Sequence, residues 1–444
     1  MIRTTRLFIT LLALFAGVAC FAGAQSLSKI RKVDIQTGHE MIRVLKEEVP
    51  KNFIDPGFFG VDLQGALTAA DTKLDKAESL AQVYGIIAQP LFNLNDPHTF
   101  FIPPKRNARL DYGFQMRMIG DKAFVTAVSP ASDAAKKGLK AGDEIISVTG
   151  FTLTRGNIWK YVYINYIVRP GTTPQLVVKG PDGKEKKLAP SSKVTQNEPV
   201  LGFDATTDGK LDSKNMINWV IDEARMRKHR FEEIGDLIIW KAPHFDMNET
   251  TMNGLMGSVR KKGSLVLDLR ENVGGHEENL ERLAGLFLDH EVKICDFQGR
   301  KPVAPLMARG SGDCFKGKVV ILTDSATSGA AELLARFLQL EKRATVIGDV
   351  TAGSVLRARL HRFDMGENPF AASISEAAPV MSDGVCIERV GVTPDELVLP
   401  TAQDLADSRD PVLSRAAKIL GVELDPVKAG ALFPIEWHLN LLKE

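Results

Sequence analysis

The sequence predicts an α/β fold, and one stretch of the chain carries most of that prediction. Residues 319–322 are apolar and form a short buried strand, which a cluster of Ser, Thr and Gly then ends. Leu334, Phe337 and Leu338 recur at helical spacing, and residues 344–347 begin another buried strand that ends at Gly348. We therefore expect a strand–helix–strand unit.

Two further strands repeat this arrangement. Residues 237–240 are an apolar run, and residues 264–270 are a second predicted buried strand. The second strand ends in the polar and glycine-rich stretch 271–275 before another helical segment. Strands that alternate with helices are typical of an α/β sheet. The turn after residues 319–322 carries Ser325, Thr327 and Ser328 at a helix N-terminus, where hydroxyls act either as nucleophiles or as helix caps.

Length and composition narrow the classes of function. A chain of 444 residues is too long for one compact core and favours two or three domains. The hydrophobic fraction of 44% and the charged fraction of 25% are ordinary for a globular protein. A formal net charge of +1 gives no field for attracting nucleic acid, so we exclude nucleic acid as a partner.

Residues 1–24 have the pattern of a secretory signal peptide. Arg3 and Arg6 precede an apolar run from Leu7 to Ala22, and small residues stand before Gln25 as a cleavage site. A membrane anchor is the alternative, but the run is shorter than the roughly 20 residues that span a bilayer. We expect an exported chain, periplasmic or secreted, with no integral membrane span.

Export makes disulfide bonds possible. Three cysteines follow the cleavage site: Cys295, Cys314 and Cys386. An odd number allows at most one intramolecular bridge, and Cys295 with Cys314 is the favoured pair because both flank one loop. No Cys–His spacing resembles a zinc site, so we expect neither a metal nor a cofactor.

Residues 25–105 form a predicted helical N-terminal region, because their apolar residues recur every three or four positions. The region closes with the sequence LNDPHTFFIPP, a turn followed by an extended exit. His98 lies beside Asp96 and Pro97, and we interpret it as a residue that stabilises this turn.

Residues 106–194 change to short strands and glycine turns. The sequence LKAGDEIISVTG, together with the early loop Tyr112, Gly113 and Phe114, resembles a PDZ domain. In that family the early loop offers backbone N–H groups to the C-terminus of a peptide, which adds to the sheet as a strand. The alternative is a closed β module that serves only as a spacer. Residues 195–444 form the predicted α/β catalytic domain.

Five segments in order resemble the C-terminal processing or tail-specific protease family of serine peptidases. They are LNDPHTFFIPP, LVLDLRENVGG, VVILTDSATSGAAELLARFLQ, KRATVIGDVTAG and GVTPDE. The resemblance implies a crotonase-like (ClpP/crotonase) peptidase core, hydrolysis of peptide bonds without a metal, and a PDZ domain that delivers or gates a polypeptide substrate. The oligomeric state stays open.

The sequence departs from the family at two positions. In the family's best-known branch the serine nucleophile stands three residues before the helix glutamate, and a lysine base follows the T-x-G. Counted from Glu332, the serine position is Gly329, and the lysine position after Gly353 is Ser354.

Two interpretations follow from this departure. In the first, Ser328 is the nucleophile of an active peptidase, Gly274, Gly275 or Gly329 donates to the oxyanion, and a histidine is the base. A branch similar to the tricorn core protease uses histidine and serine, and His244 and His276 are the candidates, with His361 interpreted as structural. In the second, the chain is an inactive pseudoprotease that binds peptides.

Overall fold

The computed structural model describes residues 30–104, 108–168, 171, 173–196, 228–310, 312–365, 369–435 and 437. The predicted signal peptide, residues 1–24, lies outside the described residues. Among those described, no helix is long and apolar enough to cross a bilayer.

The N-terminal region is helical, as the apolar periodicity predicts. Asp62 and Ser79 cap its second and third helices by accepting backbone N–H bonds from Gly65 and Gln82. Its elements are α1 (Lys32–Asn52), a 3₁₀ turn (Phe58–Gly60), α2 (Leu63–Leu74), α3 (Leu80–Asn93) and β1 (Phe100–Ile102).

A module of short strands follows, here called the β module. Five of its strands form an antiparallel sheet in the order β3-β4-β5-β6-β7, which leaves β3 at one edge, and β2 pairs with β8. The elements are β2 (Ala108–Asp111), β3 (Phe114–Ile119), β4 (Lys122–Val128), α4 (Asp133–Lys136), β5 (Glu144–Val148), α5 (Ile158–Val162), a π-helical segment (Tyr163–Val168), β6 (Leu176–Lys179), β7 (Glu185–Leu188) and β8 (Lys193–Gln196).

The remaining described chain alternates strands and helices. Its elements are β9 (Arg230–Ile234), β10 (Leu237–Lys241), α6 (Glu249–Val259), β11 (Ser264–Asp268), α7 (Glu277–Gly285), β12 (Val292–Gly299), β13 (Leu306–Ala308), β14 (Lys318–Thr323), α8 (Ala330–Leu340), β15 (Thr345–Gly348), β16 (Arg357–Phe363), β17 (Phe370–Met381), β18 (Glu396–Leu397), α9 (Ala402–Ala406), α10 (Pro411–Ile419) and α11 (Pro426–Leu432).

The central sheet confirms the α/β prediction. Its order is β18-β15-β14-β11-β10-β9, and every neighbouring pair is parallel except β10 with β9. The central strands β10, β11 and β14 are mainly apolar because both faces are covered: Trp240 and Leu267 pack toward α7 and α8, whereas Ile239 and Val320 pack toward α10. The strand–helix–strand unit is β14-α8-β15. The finer assignment as crotonase-like remains a prediction.

A second, antiparallel sheet joins the N-terminal region to this domain. Its order is β1-β17-β12-β13, with β16 also paired to β17. The Thr99 hydroxyl accepts the Ser375 N–H at 3.0 Å, just before β1 pairs with β17. The loop before β1 is thereby fixed close to the loop that leads into β16.

The β module contacts the carboxyl end of the central sheet through β3. Arg117 forms ion pairs with Glu271 and with Asp324, the second at 2.8 Å. The Ser325 hydroxyl donates to the carbonyl oxygen of Met118 at 2.6 Å. The end of β3 that carries Arg117 and Met118 therefore faces the turn after β14.

The structure contradicts the favoured disulfide. Cys295, Cys314 and Cys386 are all unbridged. Cys295 lies in β12 with its side chain inside the domain core, whereas Cys314 is only partly buried near the surface, so flanking the same loop in sequence does not bring the two thiols together.

Candidate active site

The turn after β14 is held rigidly by its own polar groups. Asp324 Oδ1 accepts the N–H groups of Ala326 and Thr327 at 3.0 and 2.9 Å. The Thr327 hydroxyl donates to the Leu269 carbonyl at 2.9 Å, and the Ser328 N–H donates to the Asn272 carbonyl at 2.8 Å. The turn after β14 and the glycine-rich turn after β11 thus form one unit.

Gly329 ends this turn and precedes α8 in an unusual backbone conformation, with φ 62° and ψ −130°. L-residues adopt such angles only with strain, which is tolerated at functional turns. A Cβ at this position would meet only the Val273 carbonyl oxygen, at 3.3 Å. A side chain here would be strained by these angles and would press on that oxygen, and glycine provides no hydroxyl.

The predicted catalytic residues make other contacts within the described part of the chain. Ser328 is half-buried, and its hydroxyl makes no hydrogen bond to any described residue. His276 lies 3.6 Å from Asp246, and the ring of His244 stacks edge-on against His229 at 5.0 Å. Among the described residues, neither histidine forms a hydrogen bond with Ser328. The assignment of Ser328 as nucleophile with a histidine base remains a prediction.

Glu332 organises the neighbouring loop from inside α8. Its carboxylate is fully buried and accepts the Gly353 and Ser354 N–H groups at 2.7 and 2.9 Å, the Gly329 N–H at 3.2 Å and the Thr351 hydroxyl. Burial raises its pKa to about 7, although these hydrogen bonds oppose the shift. One buried carboxylate therefore connects the Gly329 turn to the Ser354 loop.

Ser354 lies in hydrogen-bond contact with a histidine from the N-terminal region. Its hydroxyl oxygen lies 2.9 Å from His98 Nε2. The Ser354 carbonyl accepts the Gly329 N–H at 2.8 Å, so this serine stands at the N-terminus of α8. A hydroxyl beside an imidazole and a helix N-terminus has the arrangement of a nucleophile with its general base.

Glu388 places a carboxylate near the His98 imidazole. Its Oε2 lies 3.9 Å from His98 Nε2 and accepts the Val355 and Leu356 N–H groups at 2.7 and 3.1 Å. Burial raises the pKa of Glu388, whereas the charge of His98 acts in the opposite direction. A carboxylate at this distance can attract a positive charge on the ring.

The three glycines predicted to bind an oxyanion differ in availability. The Gly274 N–H donates to Asn272 Oδ1 at 2.7 Å, and the Gly329 N–H donates to Ser354 and Glu332. Within the described ranges the Gly275 N–H has no acceptor. Of the three, Gly275 has the N–H group that is free to bind an incoming anion.

Sequence reasoning missed the contacts that His98 and Glu388 make in this site. The His98 N–H donates to Asp96 Oδ1 at 2.8 Å, as expected of a turn residue, but its imidazole also reaches Ser354. The segment LNDPHTFFIPP was a signal for His98, since it is one of the five segments shared with the protease family. No sequence signal pointed to Glu388. Across the described part of the chain, no three side chains of His, Cys, Asp or Glu cluster as metal ligands would.

Residues 242–398 match the model of peptidase family S41. The matched range contains the Gly329 turn, Glu332, Ser354 and Glu388. The chain contains an S41 peptidase domain. His98, which completes the site, comes from the sequence before this S41 domain.

Similar proteins confirm the predicted resemblance to C-terminal processing proteases. The carboxyl-terminal-processing protease of Picosynechococcus sp. is 25% identical over 331 residues, 71% of this chain and 73% of that protein. Carboxy-terminal processing protease CtpA of Bacillus subtilis is 22% identical over 326 residues, 70% of this chain and 63% of that protein. The chain thus spans only part of the length of these relatives.

Solved structures share the fold. Mature CPAF complexed with lactacystin superposes with a TM-score of 0.61 at 13% identity, covering 84% of this chain and 96% of that chain. The photosystem II D1 C-terminal processing protease gives 0.53 at 19% identity, covering 89% of this chain and 100% of that chain. At these identities the likeness concerns the fold of the S41 domain and its neighbouring modules.

Proposed function

We propose that this chain is an exported serine-type peptidase that cleaves polypeptides, with Ser354 as the nucleophile and His98 as the general base. The 2.9 Å contact between the Ser354 hydroxyl and His98 Nε2 supports this assignment. It replaces the predicted Ser328, whose hydroxyl lacks such a base among the described residues.

The proposed chemistry follows from these positions. The Ser354 oxygen attacks the peptide carbonyl while its proton moves to His98 Nε2. The negative charge on the former carbonyl oxygen is stabilised by the N-terminal end of α8 and by the Gly275 N–H. The imidazolium then gives its proton to the leaving amine, and a water molecule hydrolyses the acyl-enzyme. Glu388 stabilises the imidazolium between these steps.

The β module is proposed to act as a PDZ-like domain that delivers the polypeptide. Its strand β3 is the edge of the five-stranded sheet and follows the loop Tyr112, Gly113 and Phe114. An exposed edge can accept a peptide as an added strand. The contact of Arg117 with Asp324 connects this edge to the turn that precedes α8.

An inactive pseudoprotease is the second candidate, and Gly329 favours it. Gly329 stands at the family's serine position but carries no hydroxyl, and its φ of 62° is one that glycine adopts without strain. If Ser354 does not replace the missing nucleophile, the S41 domain keeps its fold and only binds polypeptides.

Cleavage of casein by purified variants distinguishes these possibilities. We expect Ser354→Ala and His98→Gln to reduce cleavage by about three orders of magnitude or more, because each removes one member of a nucleophile–base pair. Ser328→Ala is the matched control, since it removes a neighbouring hydroxyl without a base, and it should retain most of the activity. Equal cleavage by wild type and Ser354→Ala would exclude Ser354. A silent wild type would support the pseudoprotease.

A further inference from the structure

We propose that Lys160 and Arg389 form a carboxylate-binding site beside the Ser354–His98 pair. The site would hold one carboxylate of the bound polypeptide, either its free C-terminus or an acidic side chain. This inference rests on the proposed peptidase function, which it extends to the choice of substrate.

Arg389 lies next to the candidate active site in a fixed backbone position. It follows Glu388, and its N–H donates to the Gly353 carbonyl at 2.7 Å, one residue before Ser354. Its side chain is exposed: Nη2 donates to the Asn95 carbonyl at 3.2 Å, and the guanidinium lies 5.2 Å from the Phe59 ring centre. A guanidinium has five N–H donors, so this one contact leaves most of them available.

Lys160 approaches the same place from the β module. It belongs to α5, and its Nζ lies 5.4 Å from the ring centres of both Phe92 and Trp159. Arg389 reaches the same end of α3, because Phe92 lies in its last turn and the Asn95 carbonyl, which accepts from Arg389, follows it. Burial lowers the pKa of Lys160, and the nearby charge of Arg389 lowers it further.

No acid of the described chain neutralises these two cations. No carboxylate oxygen of the described residues lies within 4.0 Å of the nitrogens of either side chain. The nearby acids are engaged elsewhere: Asp96 accepts the His98 N–H and the Thr99 hydroxyl, and Glu388 accepts two backbone N–H groups beside His98. An anion placed between the cations would remove their repulsion.

The C-terminal end of α3 offers a different explanation for the cations. Phe92 and Asn95 lie at that end, and cations are favoured near helix C-termini. The helix dipole supplies only about half of an elementary charge there, however, against two full positive charges. The dipole alone therefore does not neutralise the two side chains.

Backbone strain is an independent observation at the same place. Phe58, Phe59, Asn95 and Arg389 all have positive φ, at 53°, 53°, 53° and 64°. Such conformations cost about 1–3 kcal/mol each for most residues, and they cluster at ligand clamps and active sites. Four other non-glycine residues of the described chain also have positive φ and lie elsewhere, but Phe59 and Asn95 both contact the Arg389 side chain.

The chemistry of the two side chains specifies the ligand. A guanidinium matches the planar carboxylate in a bidentate geometry, and an ammonium adds a point charge from the other side. The rings of Phe59, Phe92 and Trp159 exclude part of the water, which strengthens the attraction. A carboxylate in this position would align the peptide with Ser354.

Binding of a labelled peptide by Ser354→Ala protein tests the site without turnover. The probe is a short unstructured peptide with one glutamate and a free C-terminus. One comparison peptide has a C-terminal amide in place of the free carboxylate, and the other has glutamine in place of the glutamate. We expect Lys160→Met and Arg389→Gln each to raise Kd about tenfold, the range for losing one charge-assisted hydrogen bond. The control is Lys184→Gln, an 81% exposed cation of the β module.

The comparison peptides identify the source of the carboxylate. If the peptide with a C-terminal amide binds weakly and its Kd is the same for the parent protein and the two variants, the C-terminal carboxylate occupies the site. If this holds instead for the peptide with glutamine, the glutamate side chain occupies the site. The proposal is overturned if neither variant changes Kd beyond twofold, if all peptides respond equally, or if no peptide binds. Because no cleavage is involved, a failure here is distinguishable from a failure of the peptidase proposal.

Discussion

His98 Nε2 and the Ser354 hydroxyl lie 2.9 Å apart although 256 positions separate the two residues in the chain. The pairing of β1 and β16 with the same strand, β17, brings their loops together. The candidate active site is therefore assembled from the N-terminal region and the S41 domain, and neither contains it alone.

Gly329→Ser tests whether position 329 can still carry the nucleophile. We expect the substitution to lower the free energy of unfolding by about 1–3 kcal/mol, because serine must adopt the strained φ of 62°. In a Ser354→Ala background it should not restore casein cleavage. Restored cleavage in the double variant would show that His98 serves a hydroxyl at position 329 and would contradict the assignment of Ser354.

Glu332 should give the activity a dependence on pH. The ionised carboxylate accepts hydrogen bonds from Gly329, Gly353 and Ser354, and protonation through its pKa of about 7 removes part of that acceptor capacity. We expect kcat/KM to fall as pH falls through about 7, because the protonated carboxylate holds the Ser354 loop less firmly. Glu332→Gln should lower kcat/KM on the order of a hundredfold and weaken this dependence on pH. An unchanged dependence on pH in the variant would contradict this role.

The Glu332 carboxyl should also make stability depend on pH, but in the opposite direction: activity rises with pH, whereas stability falls. The folded pKa of about 7 lies above the ordinary value of 4.5, so between these values the folded state binds the proton more tightly than the unfolded state. Relative to Glu332→Gln, the free energy of unfolding should therefore fall as pH rises through this window, by up to roughly 3 kcal/mol. Urea unfolding of both proteins over the window measures the difference. A rise instead of a fall would show that the hydrogen bonds, rather than burial, determine the pKa.

The β module should bind peptides through a free C-terminal carboxylate. Gly113 has φ 69°, and a Cβ there would lie 2.2 Å from the Ser132 Cβ, so Gly113→Ala should distort the loop and weaken binding by about tenfold or more. Gly138→Ala is the control, because Gly138 has φ 85° with nothing within 4 Å of its Cβ. Titration with free and amidated forms of one peptide measures the effect. Equal affinities for the two forms would refute the prediction.

The mature chain should begin near Gln25 after export. The apolar run and the small residues before Gln25 agree on one cleavage site. Mass spectrometry of natively exported protein gives the N-terminal residue. An intact Met1, or a lipid attached to Cys20, would contradict the prediction.

Local patterns were enough to determine the elements of the fold. The predicted strands at residues 237–240, 264–270 and 319–322 became β10, β11 and β14, and the helical spacing of Leu334 and Leu338 became α8. These predictions succeed because strand and helix periodicity depend on neighbours only a few residues apart. The shared motifs identified the protease family for the same reason, since each is a continuous segment.

The tertiary structure alone decided which groups face one another. The sequence indicated Ser328, His244 and His276 by their positions. The fold instead brings His98 Nε2 within 4 Å of both the Ser354 hydroxyl and the Glu388 carboxylate. Sequence distance carries no information on such contacts, because they depend on which strands share a sheet and in what register. The pairing of β1 with β17 put the His98 imidazole beside Ser354, and the buried carboxylate of Glu332 fixed the loop that carries this serine.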